Sequence, residues 1–190
     1  MSGVRGRIIV LAFVAAGLAG CASDNAVYSS LPPESAPTAQ VNTPSSPIQC
    51  VPYARDHSNV KIYGDAWTWW DQAAGKFPRE SVPELGSVMV LAGYSGPKSG
   101  HVAVVRAMTN AREIRVDHAN WLDDGAIYVD DPVADVSAAN DWSEVRVWNV
   151  KTGAWGGRIY PVQGFIGPTQ TSSTDLIASS DPLADLIKGQ

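Results

Sequence analysis

Between Ser87 and Ile166 the chain alternates short apolar runs with Gly, Pro, Asn and Asp: "SVMVLA", "HVAVVRAM", "REIRVDHAN", "AIYVDD", "EVRVWNV" and "RIYPVQGFI". Runs of this length, rich in Val and Ile and bounded by turn residues, predict six strands. Ahead of them "CVPYARDH" predicts a helix, because Pro52 fits a first turn in which its missing N–H has no partner to lose. "GDAWTWWDQAAGK" predicts a second, with Asp65 capping its start, Trp67, Trp70 and Ala74 on one face, and Gly75 ending it. Helices followed by a run of strands predict an α+β domain, with N-terminal helices on a mainly antiparallel sheet of about six strands.

The flanks break this pattern. Met1 to Arg7 carries Arg5 and Arg7 and no acid, and "IIVLAFVAAGLAG" follows up to Gly20. That run falls short of the ~20 apolar residues of a spanning helix and predicts a signal peptide over 1–20. It ends in "LAGC", which resembles the lipobox of bacterial lipoproteins and so implies lipidation of Cys21 and a membrane anchor. Residues 21–47, rich in Ser, Pro, Ala and Thr, have no apolar periodicity and are expected to be a flexible tether. Its reach is roughly 25–30 Å, from about 5–6 Å times the square root of its length. The segment 48–168 is long enough for one core. Past it, 169–190 returns to Ser and Thr and repeats "DLI" at Asp175 and Asp185. This is expected to be a disordered tail, with a short helix starting at Asp181–Pro182 as a docking segment for a protein activator.

Charge narrows the partners. Loss of residues 1–20 takes two of the 14 basic residues and none of the 19 acidic ones, leaving 12 against 19, a net charge of −7. So acidic a chain would be repelled by nucleic acid and by anionic lipid, which leaves acyl chains as the route to a membrane. The absence of an aspartate after Cys21 favours an outer membrane, with the domain facing the periplasm. No His pair or Cys cluster has zinc spacing, and "LDDGAIYVDD" (Leu122–Asp131) lacks the spaced pattern of a calcium loop and reads as a solvated turn. Neither a metal nor another cofactor is expected.

With Cys21 acylated, Cys50 becomes an unpaired thiol in an oxidising compartment, which points to chemistry. A thiol at a helix N-terminus, beside an imidazole, has a lowered pKa and acts as a nucleophile. His57 is two helical turns away, about 10 Å, too far to share a proton. His101 opens an apolar strand after a glycine-containing loop. In "EIRVDHAN" strand alternation puts Ile114, Val116, His118 and Asn120 on the apolar face, and Glu113, Arg115, Asp117 and Ala119 on the other. Polar groups on a buried face must find partners or cost ~1–3 kcal/mol each. His118 thus suits the orienting of another imidazole, with the charged Asp117 as its rival.

A cysteine on an early helix, then "GHVAVV", then "HANW", together with "QCVPYAR", "GDAWTWW" and "GSVMVL" in this order, resembles the CHAP amidohydrolase/peptidase family. That family is a branch of the papain-like NlpC/P60 cell-wall hydrolases. The resemblance implies a papain-like fold and hydrolysis of an amide in peptidoglycan. It implies Cys50 as nucleophile, His101 as general base and His118 as the orienter, in a position where many members carry Glu. Asn120 would support the site, and backbone donors with Gln49 would hold the oxyanion. Trp67 and Trp121 are candidates for lining the substrate groove, where a flat apolar face stacks on a sugar.

Overall fold

The structure is a computed structural model that describes residues 38–167. The signal segment, Cys21, the tether up to residue 37 and the whole tail from 168, with its "DLI" repeats, lie outside the described residues. In chain order the elements are β1 (Gln40–Asn42), α1 (Cys50–His57), a 3-10 turn (Ala66–Thr68) running into α2 (Trp69–Ala73), β2 (Arg79–Glu80), β3 (Val88–Ala92), β4 (Gly100–Asn110), β5 (Glu113–Ala119), β6 (Ile127–Asp135), β7 (Glu144–Asn149), β8 (Ala154–Trp155) and β9 (Tyr160–Ile166).

All strand pairs are antiparallel. Six strands in the order β6–β5–β4–β3–β9–β7 close on themselves, because the far half of β6 also pairs with β7. The short strands β1, β2 and β8 attach at the rims of this barrel. Closure removes the open edges that the six strands would otherwise present.

Period-two alternation along the central strands feeds two separate cores. Met89, Leu91, Ala103, Val105, Ile114, Val116, Val145, Val147 and Phe165 point into the barrel. Their neighbours Val88, Val90, Val102, Val104 and Ile166 point out and share a second cluster with Ala54 of α1 and with Ala66, Trp69 and Ala73. Because β3 and β4 bury both faces, their sequences read as continuous apolar runs.

Several expectations need correction. The strands number nine among the described residues, not about six, and the helices are short: eight and five residues. The tether does not run to residue 47, since Gln40–Asn42 pair with Ile127–Val129 and Pro47 packs under Gly125. Three residues that gain order through backbone pairing leave no apolar signature. The buried face of the second helical segment is Ala66, Trp69 and Ala73, while Trp67 and Ala74 are exposed. A 3-10 turn at its start shifts the phase from the 100° per residue of a continuous α-helix. Asp65 occupies the cap position without a side-chain cap bond, and Gly75, at φ 71°, follows the helix end as expected. Leu122–Asp131 is not a solvated turn throughout: its second half is strand, and Asp131 is fully buried.

Candidate active site

Gln49 stands in the N-cap position of α1 with an extended backbone, so the first residue of the helix proper is Cys50. Tyr53 and Ala54 on the next turn are buried and fix the helix to the barrel. Among the described residues Cys50 is a free, half-buried thiol that packs against the outer core.

His101 reaches the same place from β4. Gly100 precedes it, and a Cβ there would fall 2.6 Å from the backbone N of Trp67 and 2.8 Å from its Cα. Only glycine lets the start of β4 pass so close to the 3-10 turn. One residue on, His101 points to the barrel mouth and is 2% exposed. Cys50 and His101 line one cleft of ≈ 500 Å3, together with Gln49, Tyr94, Asn120, Asp123 and Arg158.

Behind His101 the polar chain continues. His101 Nε2 lies 2.9 Å from His118 Nδ1, and His118 Nε2 lies 3.0 Å from Asp131 Oδ2. His118 and Asp131 are both buried. Asp117 is on the other face, as strand alternation requires, and accepts a 2.7 Å hydrogen bond from Arg106. Of the two rivals, His118 is the one in contact with His101.

Asp131 escaped sequence reasoning because of a β-bulge. His118 pairs with Tyr128 and Val116 with Asp131, so β6 uses three residues where β5 uses two. The extra residue is accommodated at Asp130, whose φ is 56°. Unbroken alternation from buried Tyr128 would have turned Asp130 inward and Asp131 out. A local signal exists in hindsight: an Asp pair followed by Pro132 interrupts an apolar strand.

Aromatic rings wall the imidazoles. Trp121 meets His101 edge-on with centroids 4.9 Å apart and contacts His118 at 5.3 Å, Tyr94 at 5.0 Å and Tyr160 at 5.0 Å. At 4% exposure it does not line the groove; it backs the His101 ring. Trp67 does face solvent, and it borders a second cleft of ≈ 350 Å3 with Asp65 and Lys98 that shares Gln49, Cys50, Ser99 and Gly100 with the first. The thiol therefore sits where two grooves meet.

Asn120 and Gln49 form a clasp across the cleft rim. Asn120, in a left-handed conformation (φ 59°), donates from Nδ2 to Gln49 Oε1 at 2.8 Å, while its Oδ1 accepts from Gly125 N at 2.7 Å. With Oε1 so occupied, the hydrogens on Nε2 are what Gln49 can offer a ligand.

Electrostatics correct one expectation. Burial pushes the Cys50 thiol up from its usual 9.0, and backbone N–H groups of Val102, Val51 and Cys50 only partly offset this. Burial and the neighbouring His118 hold His101 well below the usual imidazole range. The helix terminus does not leave a preformed thiolate; thiol and imidazole are both neutral at rest. Such a pair generates its nucleophile by proton transfer during attack.

Other groups lie elsewhere. His57 is exposed, stacked on Tyr53 with Nδ1 2.9 Å from the Tyr53 carbonyl. It borders a cavity of ≈ 520 Å3 at the far end of α1, whose Arg106 is already engaged by Asp117. Among the described residues no group of three His, Cys, Asp or Glu side chains is placed to hold a metal ion.

No curated protein and no solved structure matches this chain. Residues 41–120 match the family model of the CHAP domain, a segment that contains Cys50, His101, His118 and Asn120 and stops short of Asp131. Over these residues the chain is similar to a CHAP domain.

Proposed function

We propose that the protein is a cysteine-dependent peptidoglycan hydrolase that cuts an amide bond by thiol acyl transfer, on a papain-like arrangement of helix and barrel. CHAP domains are in general hydrolases of peptidoglycan, and the observation that carries the reading is the shared cleft of Cys50 and His101, with His118 bonded behind the ring at 2.9 Å.

In the proposed reaction Cys50 Sγ attacks the amide carbonyl as its proton passes to His101. The oxyanion is held by backbone N–H groups at the start of α1 and by the Gln49 amide, while Asn120 keeps Gln49 in place. His101 then gives its proton to the departing amine, leaving a thioester on Cys50. A water molecule, deprotonated by His101, hydrolyses it and restores the thiol.

The grooves on either side of the thiol suit a substrate that extends past the cut bond. One presents Arg158 and Asp123, the other Lys98 and the exposed indole of Trp67. Charges of both signs fit the carboxylates and amines of a stem peptide, and an indole fits a sugar face. The cut bond is then the one joining muramic acid to L-alanine or one within the stem. A lipid on Cys21 and the tether behind it would hold the domain close to the wall, on the periplasmic face of an outer membrane.

Purified sacculi incubated with the protein provide the test. Amide cleavage releases fragments with new primary amines, detected by amine labelling and mass spectrometry, without new reducing sugar ends. Reducing ends alone would mean a glycosidase, and binding to sacculi with no release would mean a recognition module; either result overturns the proposal.

A further inference from the structure

The matched family segment ends at residue 120, yet the polar chain behind His101 ends eleven residues later in a carboxylate. We propose that Asp131 is a positioning residue for the hydrolysis: it fixes the tautomers of His118 and His101 in series, leaving His101 Nδ1 as the unprotonated nitrogen that takes the thiol proton. The inference rests on the reading of Cys50 and His101 as the reacting pair.

Donor and acceptor roles are fixed along two hydrogen-bonded contacts, Asp131 to His118 and His118 to His101. An ionised carboxylate can only accept, so His118 Nε2 carries the hydrogen in its 3.0 Å contact with Asp131 Oδ2. A neutral His118 then has a bare Nδ1. That nitrogen, 2.9 Å from His101 Nε2, must accept, so His101 carries its hydrogen on Nε2. Nδ1 of His101 is left with a lone pair. When Cys50 S–H gives up its proton, the new N–H bond forms at that Nδ1 and the S–H electron pair stays on sulfur. The imidazolium keeps donating through Nε2 to His118, whose own N–H points to the carboxylate charge.

A protonated Asp131 would reverse every direction. Its O–H would donate to His118 Nε2, the hydrogen on His118 would move to Nδ1, and His101 would hold its hydrogen on Nδ1, where it cannot serve as a base. The state of the carboxyl therefore decides whether the thiol has an acceptor. Arg115 and His118 of β5 act on it from one side, and Asp130 and Tyr128 from its own strand. Burial pushes the Asp131 carboxyl up, and the His118 hydrogen bond and the Arg115 charge draw it back without fully cancelling the rise. The acid limb of activity is thus expected above the ordinary carboxyl value of 3.8, with activity lost as the pH falls through it.

The structural element that makes this possible is the bulge at Asp130. Without the extra residue Asp131 would face away from His118, and the second imidazole would lose its acceptor.

The test combines two readouts on the full-length protein. In the 15N-labelled wild type, long-range proton–nitrogen spectra at pH 7 should show both His118 and His101 with hydrogen on Nε2 and none on Nδ1. In Asp131→Asn, whose amide can donate as well as accept, the tautomers should mix. Its kcat should fall about 10- to 100-fold with KM little changed, a smaller loss than the ~10⁴-fold seen when the wrong tautomer is imposed directly on a base. Its acid limb should also move, which a merely structural role would not cause; Asp131→Glu should recover part of kcat. Nδ1–H tautomers in the wild type, or an Asp131→Asn variant with unchanged kcat and pH profile, would overturn the proposal. A wild type with the stated tautomers but no hydrolysis would instead remove the reading of the protein as a hydrolase and leave the tautomer assignment standing.

Discussion

Replacing His101 by alanine is expected to lower kcat/KM for amide cleavage by about 10³-fold, within the 10²–10⁴-fold range of general acid–base contributions. The size follows from the resting state of the pair. With the Cys50 thiol pushed above 9.0 by burial and His101 held below 6.5, a thiolate is scarce at neutral pH and the base must remove the proton as the bond forms. The same logic predicts how Cys50 reacts with iodoacetamide. A thiolate–imidazolium ion pair would give a plateau of reactivity reaching into the acid range. Here the protonated thiol persists until the pH exceeds its raised pKa, so the alkylation rate of the wild type should climb with pH through a midpoint above 9.0. Hydrolysis at near wild-type rate by His101→Ala, or an alkylation plateau extending below pH 6, would contradict this account of the pair.

The second large effect is on stability. Trp121→Ala is expected to cost about 3–5 kcal/mol, the range for deleting a buried large aromatic side chain. For a domain of this size that is roughly 10–15 °C in Tm, at about 3 °C per kcal/mol. Trp121 is 4% exposed and touches the rings of Tyr94, His101, His118 and Tyr160, so its removal opens a void against both imidazoles. The Tyr94 hydroxyl also donates to the Trp121 carbonyl, tying the loop after β3 to the same wall. Trp67, 36% exposed, is the matched control: its alanine variant should lose less than about 1 kcal/mol, since surface substitutions have small effects. Thermal unfolding followed by circular dichroism distinguishes the two, and equal losses would refute the division of tryptophans between core and groove.

How much of this was legible in the sequence differs from element to element for physical reasons. The six main strands announce themselves because burial on one or both faces demands Val and Ile at close spacing. Local rules drew attention to Cys50 and His118, a thiol with Pro two residues on and an imidazole on the apolar side of an alternating strand, while His101, an imidazole at the start of an apolar strand, was singled out by the resemblance of the motif order to CHAP domains. The missing parts depend on long-range geometry. Barrel closure comes from β6 pairing with both β5 and β7, which no local pattern encodes. The β1 strand is recruited by backbone pairing to β6, and backbone groups carry no side-chain signature. Asp131 was hidden by one inserted residue, because a bulge inverts the inside–outside assignment of everything beyond it. Trp121 was misassigned to the groove because an indole is equally at home against a sugar or against an imidazole.

The thiol pKa failed for a different reason. The helix N-terminus was visible in the sequence and its effect has the expected sign, yet the depth at which the helix buries its first residue is a property of tertiary packing. Desolvation outweighs the N–H contribution, and only the packed chain reveals by which direction the sum falls. The proposed chemistry is compatible with this reversal because His101 is shifted the opposite way. A neutral donor beside a neutral acceptor can exchange a proton in the transition state without either being charged beforehand.

Formation of an acyl-enzyme on Cys50 tests the central claim most directly. Rapid quench of the protein with a synthetic muramoyl peptide, followed by intact mass and peptide mapping, should give a mass gain equal to the substrate's acyl portion. The adduct should lie on the peptide containing Cys50, appear as the amine is released, and be absent from Cys50→Ala, which should also be inactive. Turnover with no adduct under any quench time, together with full activity in Cys50→Ala, would contradict the account.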